Sequence, residues 1–274
     1  VRAQILPKQS SLEPDMVLIP AGQFQMGTGR RALRQARIAW WDWMTRETPA
    51  HAIYLPDYAV GRGPVTNAEF ARFVADEGYH WPEFWTEAGW RIKNQQQWDG
   101  PRYQINPRWN GDACPVVGVS WFEAVAFCRW LSRVTGRPFR LPTEAEWEKA
   151  ARGPSGYMWP WGNRWKPAYC NNWEIRRRQT TPVYHFSPRG DSPWGASDMV
   201  GNVWEWCATQ SLPAYPLAPP TDEWTPQNLA GTAARALRGG SWGCIRNLAR
   251  CTYRALREPA LRVNDCGFRL ALSI

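Results

Sequence analysis

Three short stretches of this chain carry the same helix-starting signature, and helical periodicity fades after residue 152. Thr66 with Glu69, Ser120 with Glu123, and Thr143 with Glu146 each place a hydroxyl three residues before a carboxylate. In such a capping box the hydroxyl accepts from the third helical amide while the carboxylate reaches back to the cap amide. The second box opens the clearest helix. Trp121, Ala124, Val125, Cys128 and Leu131 recur at the spacing of one buried face, and Gly136 lies just past the end. Cys128 falls on that stripe and reads as structural. Upstream, Met16-Val17-Leu18-Ile19-Pro20-Ala21-Gly22 followed by Phe24 and Met26 predicts a strand, a turn and a second strand. Beyond residue 152, Gly, Pro, Trp and Asn abound, which predicts loops anchored by aromatic side chains around a small sheet. Residues 28–50 and 207–232 read as long insertions or surface loops.

With 274 residues, 44% hydrophobic content and 20 Trp, the chain has ample material for a packed core. No internal repeat of roughly 20 to 50 residues is visible, and no low-complexity linker divides the chain. The expectation is a single domain over residues 14–274, with residues 1–13 as an N-terminal extension. No apolar run reaches the length of about 18 residues that a membrane helix needs. The polar start lacks the apolar stretch of a signal peptide, which predicts a cytoplasmic location.

The net charge of +9 is almost wholly arginine: Lys8, Lys93, Lys149 and Lys166 are the lysines, leaving 29 of 33 basic residues as Arg. The planar guanidinium suits buried ion pairs and hydrogen bonds to backbone carbonyls. The alternative is an electropositive surface for nucleic acid or acidic ligands. No nucleic-acid motif accompanies the charge, so an arginine-built scaffold is the preferred reading and nucleic acid is not the expected partner. The seven cysteines (Cys114, Cys128, Cys170, Cys207, Cys244, Cys251, Cys266) are odd in number and form no CxxC, which favours mostly buried thiols in a reducing compartment.

Several segments in order carry a family resemblance. They are Met16 to Gly22, Val65-Thr66-Asn67, Pro115 to Trp121, Arg140-Leu141-Pro142-Thr143-Glu144-Ala145-Glu146-Trp147-Glu148 and Pro160-Trp161-Gly162. Asp198-Met199-Val200-Gly201-Asn202-Val203-Trp204-Glu205-Trp206, Arg238-Gly239-Gly240-Ser241-Trp242 and Gly267-Phe268-Arg269 complete the series. Together they resemble the formylglycine-generating-enzyme (sulfatase-modifying factor) family from about residue 14 to 272. The resemblance implies an α+β, C-type-lectin-like fold with much irregular loop. It leaves function open among copper-dependent oxidases of a peptide cysteine, iron-dependent sulfoxide synthases, accessory proteins, and the variable proteins of diversity-generating retroelements.

The resemblance also implies metal positions. Carried across, a structural calcium would take the side chains of Asp198 and Glu205 and the carbonyls of Gly201 and Val203, a donor set that suits a hard cation. The alternative is that Asp198 satisfies loop amides and Glu205 pairs with arginine. The three histidines, His51, His80 and His185, show no ligand spacing, so the iron cluster of the sulfoxide synthases is not expected. In catalytic members a cysteine two residues after the Gly-Gly-Ser-aromatic segment is followed five residues later by a second, and the pair binds copper. Here Cys244 occupies the first position and Ala249 the second, so catalysis through Cys244 belongs only to the oxidase alternative. Cys128 and Cys251 match half-cystines of the family whose expected partner positions are Leu270 and Ala151.

Between Trp242 and Gly267 two kinds of residue alternate. Arg246, Arg250, Tyr253, Arg254, Arg257 and Arg262 read as a framework tying the loops down. Gly243, Cys244, Ile245, Asn247, Ala255, Leu256, Ala260, Leu261, Val263 and Asn264 are interleaved without a pattern of polarity or period. In retroelement variable proteins, mutagenesis at adenines of Asn codons excludes Trp, Lys, Glu, Gln and Met, and all ten residues fall inside the allowed set. Exposed apolar side chains on polar loops call for a partner. The expected function is therefore non-catalytic binding of a protein or other macromolecular ligand. The ten side chains would share one solvent-facing patch walled by Trp242.

Overall fold

The computed structural model describes residues 4–35, 46–210 and 224–274. In chain order the elements are β1 (Met16–Ile19), β2 (Gly22–Met26), α1 (Arg30–Gln35), β3 (His51–Leu55), β4 (Tyr58–Gly61), α2 (Asn67–Ala75) and α3 (Glu87–Gln95). They continue with α4 (Trp121–Thr135), β5 (Phe139–Arg140), α5 (Glu144–Arg152), β6 (Trp204–Gln210) and α6 (Pro226–Ala230). β7 (Arg235–Arg238), β8 (Arg254–Arg257), β9 (Cys266–Gly267) and β10 (Ala271–Ser273) complete the chain.

All three capping boxes form. At α4, Glu123 N donates to Ser120 Oγ at 3.1 Å and Ser120 N donates to Glu123 Oε2 at 2.7 Å. Gly136 closes the same helix in the left-handed region, at φ 72°, where the absence of a Cβ removes the strain. Thr66 and Thr143 start α2 and α5 in the same way.

One antiparallel sheet runs in the order β1-β4-β10-β5, so the last strand lies between early ones. β2 and β3 make a separate ribbon, and a third sheet runs β8-β7-β6-β9, with β9 parallel to β6. Upstream of β1, Leu6 N donates to Met16 O and Leu18 N to Gln4 O, so this stretch of residues 1–13 lies along the first sheet. Two expectations need correction. Cys207 to Gln210 belong to β6 and are largely buried rather than part of a surface loop, because Cys207 enters the apolar cluster around α5 and Ala208 the one around α4. Within 28–50, Arg30–Gln35 is helical; residues 36–45 and 211–223 lie outside the described residues.

Two apolar clusters hold the molecule. One surrounds α4, where Phe127 stacks on Phe70 at 5.3 Å and meets Phe268 edge-on at 5.6 Å. The other surrounds α5, with Trp147, Trp159, Val17 and Val60. α5 is buried on every side. A helix so placed must satisfy its charges internally, and arginine does this. Arg254 grips Glu144 in a fork of 2.6 and 2.7 Å, Arg238 pairs with Glu148, and Lys149 donates to Pro20 O at 2.7 Å. Arg235, Arg238, Arg250, Arg254 and Arg269 are all essentially buried. The arginine surplus is thus in good part structural.

Candidate functional site

The C-terminal loops hang from this frame by three of the expected arginines, whereas Arg257 is exposed and donates to its neighbour Leu256 O. Arg250 pairs with Glu47, Arg254 with Glu144, and Arg262 donates to Gly118 O at 3.0 Å while pairing with Glu123 at 3.1 Å. Tyr253 packs its ring on Trp204 at 5.7 Å.

The ten interleaved residues divide. Gly243 and Ile245 are exposed, Ile245 by 46%. A side chain at Gly243 would meet nothing closer than Ser241 Oγ at 3.7 Å, so that position is open to substitution. Asn247, Leu256, Ala260, Leu261, Val263 and Asn264 are half-buried. Cys244 and Ala255 are buried, which corrects their placement among the displayed side chains. Ala255 sits on β8 with its methyl in the α4 cluster, while its neighbour Leu256 packs toward the α5 cluster. Successive strand residues point to opposite faces, so these two cannot share one patch.

Five of the remaining positions gather in two places. Trp242 packs its ring at a tilt against Trp109, centroids 5.6 Å apart, and its Nε1 donates to Asn264 O at 3.3 Å. Gly243 and Ile245 follow beside Trp173, whose amide donates to Cys244 O at 3.0 Å. Ala260 and Leu261 instead pack against the outside of the α4 cluster and line a cleft of about 680 Å³ with Trp98, Gly100, Arg102 and Gln104. Asn247 Oδ1 is buried with no hydrogen-bond partner among the described residues.

Around Cys244 the structure assembles side chains that the sequence reading did not connect. Its Sγ lies 3.5 Å from Ser241 Oγ, and Ser241 Oγ donates to Asp265 Oδ2 at 2.9 Å. Burial pushes the Cys244 thiol up, and burial likewise raises the Asp265 carboxyl. A thiol held protonated in this way is a poor nucleophile. The second family position, Ala249, is fully buried in the α5 cluster, where Cys251 also lies. Cys128 and Leu270 share the α4 cluster, and Cys251 and Ala151 the other, so each unmatched thiol packs as a small apolar group.

The calcium set was tested against the same geometry. Glu205 Oε1 accepts from Arg269 Nη2 at 2.7 Å, and Oε2 from Arg269 Nε at 2.5 Å and Trp147 Nε1 at 2.6 Å. Both oxygens thus take part in a buried ion pair, Oε2 also accepting from the indole, while Oε1 accepts a single bond. Asp198 Oδ2 accepts from the Tyr184 amide at 3.0 Å. Burial pushes its carboxyl up to about 6. Gly201 N donates to Gly239 O at 3.0 Å and Trp204 N, which follows Val203, to Asp265 O at 2.8 Å, binding this loop to the C-terminal segment. Asp198 and Glu205 thus fill the loop-amide and arginine roles, and no step is derived through a calcium ion.

Comparison with known proteins adds context. The family described as sulfatase-modifying factor enzyme 1-like domain matches residues 2–274. The formylglycine-generating enzyme of Streptomyces coelicolor is 33% identical over 298 residues, covering 93% of this chain and 88% of its own. The hercynine oxygenase of Mycolicibacterium smegmatis is 32% identical over 280 residues, 94% of this chain and 61% of its own. This chain therefore spans less than two thirds of that longer relative. Among solved structures, PvdO from Pseudomonas aeruginosa superposes with a TM-score of 0.74 at 26% identity, covering 99% of this chain and 98% of that one. Treponema denticola variable protein 1 has a TM-score of 0.68 at 22% identity and covers 98% of both chains, a likeness of fold alone.

Proposed function

This chain belongs to the sulfatase-modifying factor enzyme 1-like family, and from that premise we propose that it is a non-catalytic protein whose C-terminal loops bind a macromolecular ligand. Its fold is the α+β, C-type-lectin-like fold of the formylglycine-generating-enzyme type. The observation that carries the reading is the solitary thiol. Linear coordination of Cu(I) calls for two thiolates. Here one position is a buried Cys244 with a raised pKa and the other is Ala249, sealed in the core.

The display side of the reading is supported by Gly243, Ile245, Asn264, Ala260 and Leu261, all exposed or half-buried on loops that buried arginines clamp. A rigid frame of this kind carries the ordering entropy, so side chains on it vary with little effect on folding. In its finer form the reading is a diversity-generating retroelement variable protein.

A second reading, a copper-dependent oxidase of a peptide cysteine, is favoured by the Ser241 hydroxyl beside Cys244 and by the extent of the match to the Streptomyces coelicolor enzyme. Titration of the reduced protein with Cu(I) against a competing chelator separates the two. Binding no tighter than that of the Cys244→Ser variant is expected. A sub-nanomolar site abolished by Cys244→Ser would overturn the proposal.

A further inference from the structure

Beside the Trp242 patch lies a cluster of arginines outside the buried ion-pair frame. Arg108, Arg176, Arg177 and Arg178 are exposed. None of the side-chain ion pairs among the described residues involves them. They contrast with the buried arginines, each of which is held by carboxylates or carbonyls.

Contacts join this cluster to the loop positions discussed above. Arg108 lies 4.9 Å over the Trp109 ring, Trp109 packs at a tilt against Trp242, and an Arg108 Nη2 hydrogen bond to Arg178 O brings the two loops together. Arg178 in turn lies 5.9 Å over Trp173, which is 48% exposed and bonded through its amide to Cys244 O. Arg177 Nη2 donates to His185 Nε2 at 3.1 Å. Arg176 and Arg178 hold φ of 56° and 55°, an uncommon conformation for a residue with a side chain. The nearby carboxylate of Glu174 accepts from Trp165 Nε1 at 2.9 Å. The surface thus presents four guanidiniums, none of them in a side-chain ion pair among the described residues, with Trp173 and Ile245 as exposed apolar neighbours.

We propose that this surface binds an acidic peptide segment bearing an apolar side chain: the arginines take its carboxylates, while Trp173 and Ile245 take its apolar residue. Arginine forks match carboxylates in two-pronged geometry, and exposed guanidiniums gain most where a partner supplies opposite charge. A single-stranded nucleic acid would need basic groups tracking along a groove and a succession of stacking rings. The guanidiniums here are instead gathered in one cluster beside an aliphatic side chain. The proposal rests on the reading of the C-terminal loops as a recognition surface and names the chemistry of what they recognise.

The test uses fluorescence anisotropy with the full chain and three labelled probes of equal length: a peptide of alternating Glu and Leu, the same peptide with Lys for Glu, and oligo-dT. The Glu peptide is expected to bind at least tenfold more tightly than either control, with affinity falling as salt rises. The variant Arg176→Asn/Arg177→Glu/Arg178→Asn keeps residues tolerant of the left-handed region at 176 and 178. It is expected to weaken binding at least tenfold with an unchanged melting temperature, and Trp173→Ala to weaken it severalfold. Equal binding of the Glu and Lys peptides, or a full-strength response from the triple variant, would overturn the proposal. Tighter binding of oligo-dT, lost in the same variant, would replace it with a nucleic-acid site. Either failure leaves the recognition reading standing if the exposed loop positions tolerate exchange, which is measured separately.

Discussion

Arg250 and Glu47 meet in a two-pronged ion pair, Nη1 to Oε2 at 2.7 Å and Nη2 to Oε1 at 2.5 Å, across 203 residues of sequence. Both side chains are buried, and Thr252 Oγ1 donates to the same carboxylate. The pair fastens the loop that follows Cys244 to the segment entering β3. Breaking it from one side leaves a buried charge without a partner, at a cost of about 3–5 kcal/mol. Arg250→Met is expected to lose that much in urea unfolding. The double variant Glu47→Leu/Arg250→Met should recover much of the loss, since replacing both charges removes the desolvation penalty as well. A loss below about 1 kcal/mol for the single variant would contradict the clamp.

Asp198 sets a pH dependence. Its carboxyl is raised by burial from the ordinary 3.8 to about 6, with the Tyr184 amide and Arg269 acting in the opposite direction. The folded state therefore holds this proton more tightly than the unfolded chain does. Its contribution to stability is fully present below about pH 4 and is lost as pH rises through about 6. Asp198→Asn keeps an acceptor for the Tyr184 amide and suits the left-handed φ of 54° at this position. The variant should be more stable at pH 7, by up to about 3 kcal/mol. It should also flatten the stability profile between pH 4 and 6. An unchanged profile in urea titrations at several pH values would sink the assignment.

Glu205 leads to an expectation about metal. Arg269 and Trp147 take three of the roughly four lone-pair sites of this carboxylate, so calcium would have to share Oε1 with a guanidinium. A ligand that binds only the native state raises the melting temperature in proportion to its excess over Kd. Millimolar calcium and excess chelator should give the same melting temperature. A rise of several degrees with calcium, reversed by the chelator, would restore the four-residue site implied by the family resemblance.

What the sequence showed best was local. The capping boxes of α2, α4 and α5 are signals within four residues, and each formed. α3 was not foreseen, because Thr86 caps it alone and its third helical position is Gly89, which has no carboxylate to close a box. β6 carries no strand signal in the sequence, and Cys207 to Gln210 read there as loop, because the strand is defined by pairing with β7 and β9, far away in sequence. The same holds for the site. Arginines were recognisable as framework, yet which carboxylate each would meet lies 90 or more residues distant, as for Arg238 with Glu148 and Arg254 with Glu144. Ala255 looked interchangeable with Leu256 because strand pairing, not residue type, decides which face of β8 each occupies. The Ser241–Asp265 contact beside Cys244 escaped notice, although Asp265 immediately precedes the Cys266-Gly267 strand that brings it there.

The central claim is that a clamped frame carries exchangeable side chains, and thermal unfolding of one combined variant tests it most directly. Gly243→Asn, Ile245→Ser, Ala260→Ser and Asn264→Ser together alter two exposed and two half-buried loop positions. Surface changes of this kind are each worth about 0.5 kcal/mol or less. Ala255→Asn, by contrast, puts a polar amide into the α4 cluster. The account predicts that the fourfold variant melts within a few degrees of the parent while Ala255→Asn falls well below it. A fourfold variant that melts as low as Ala255→Asn would show these side chains to be part of the fold and would contradict the account.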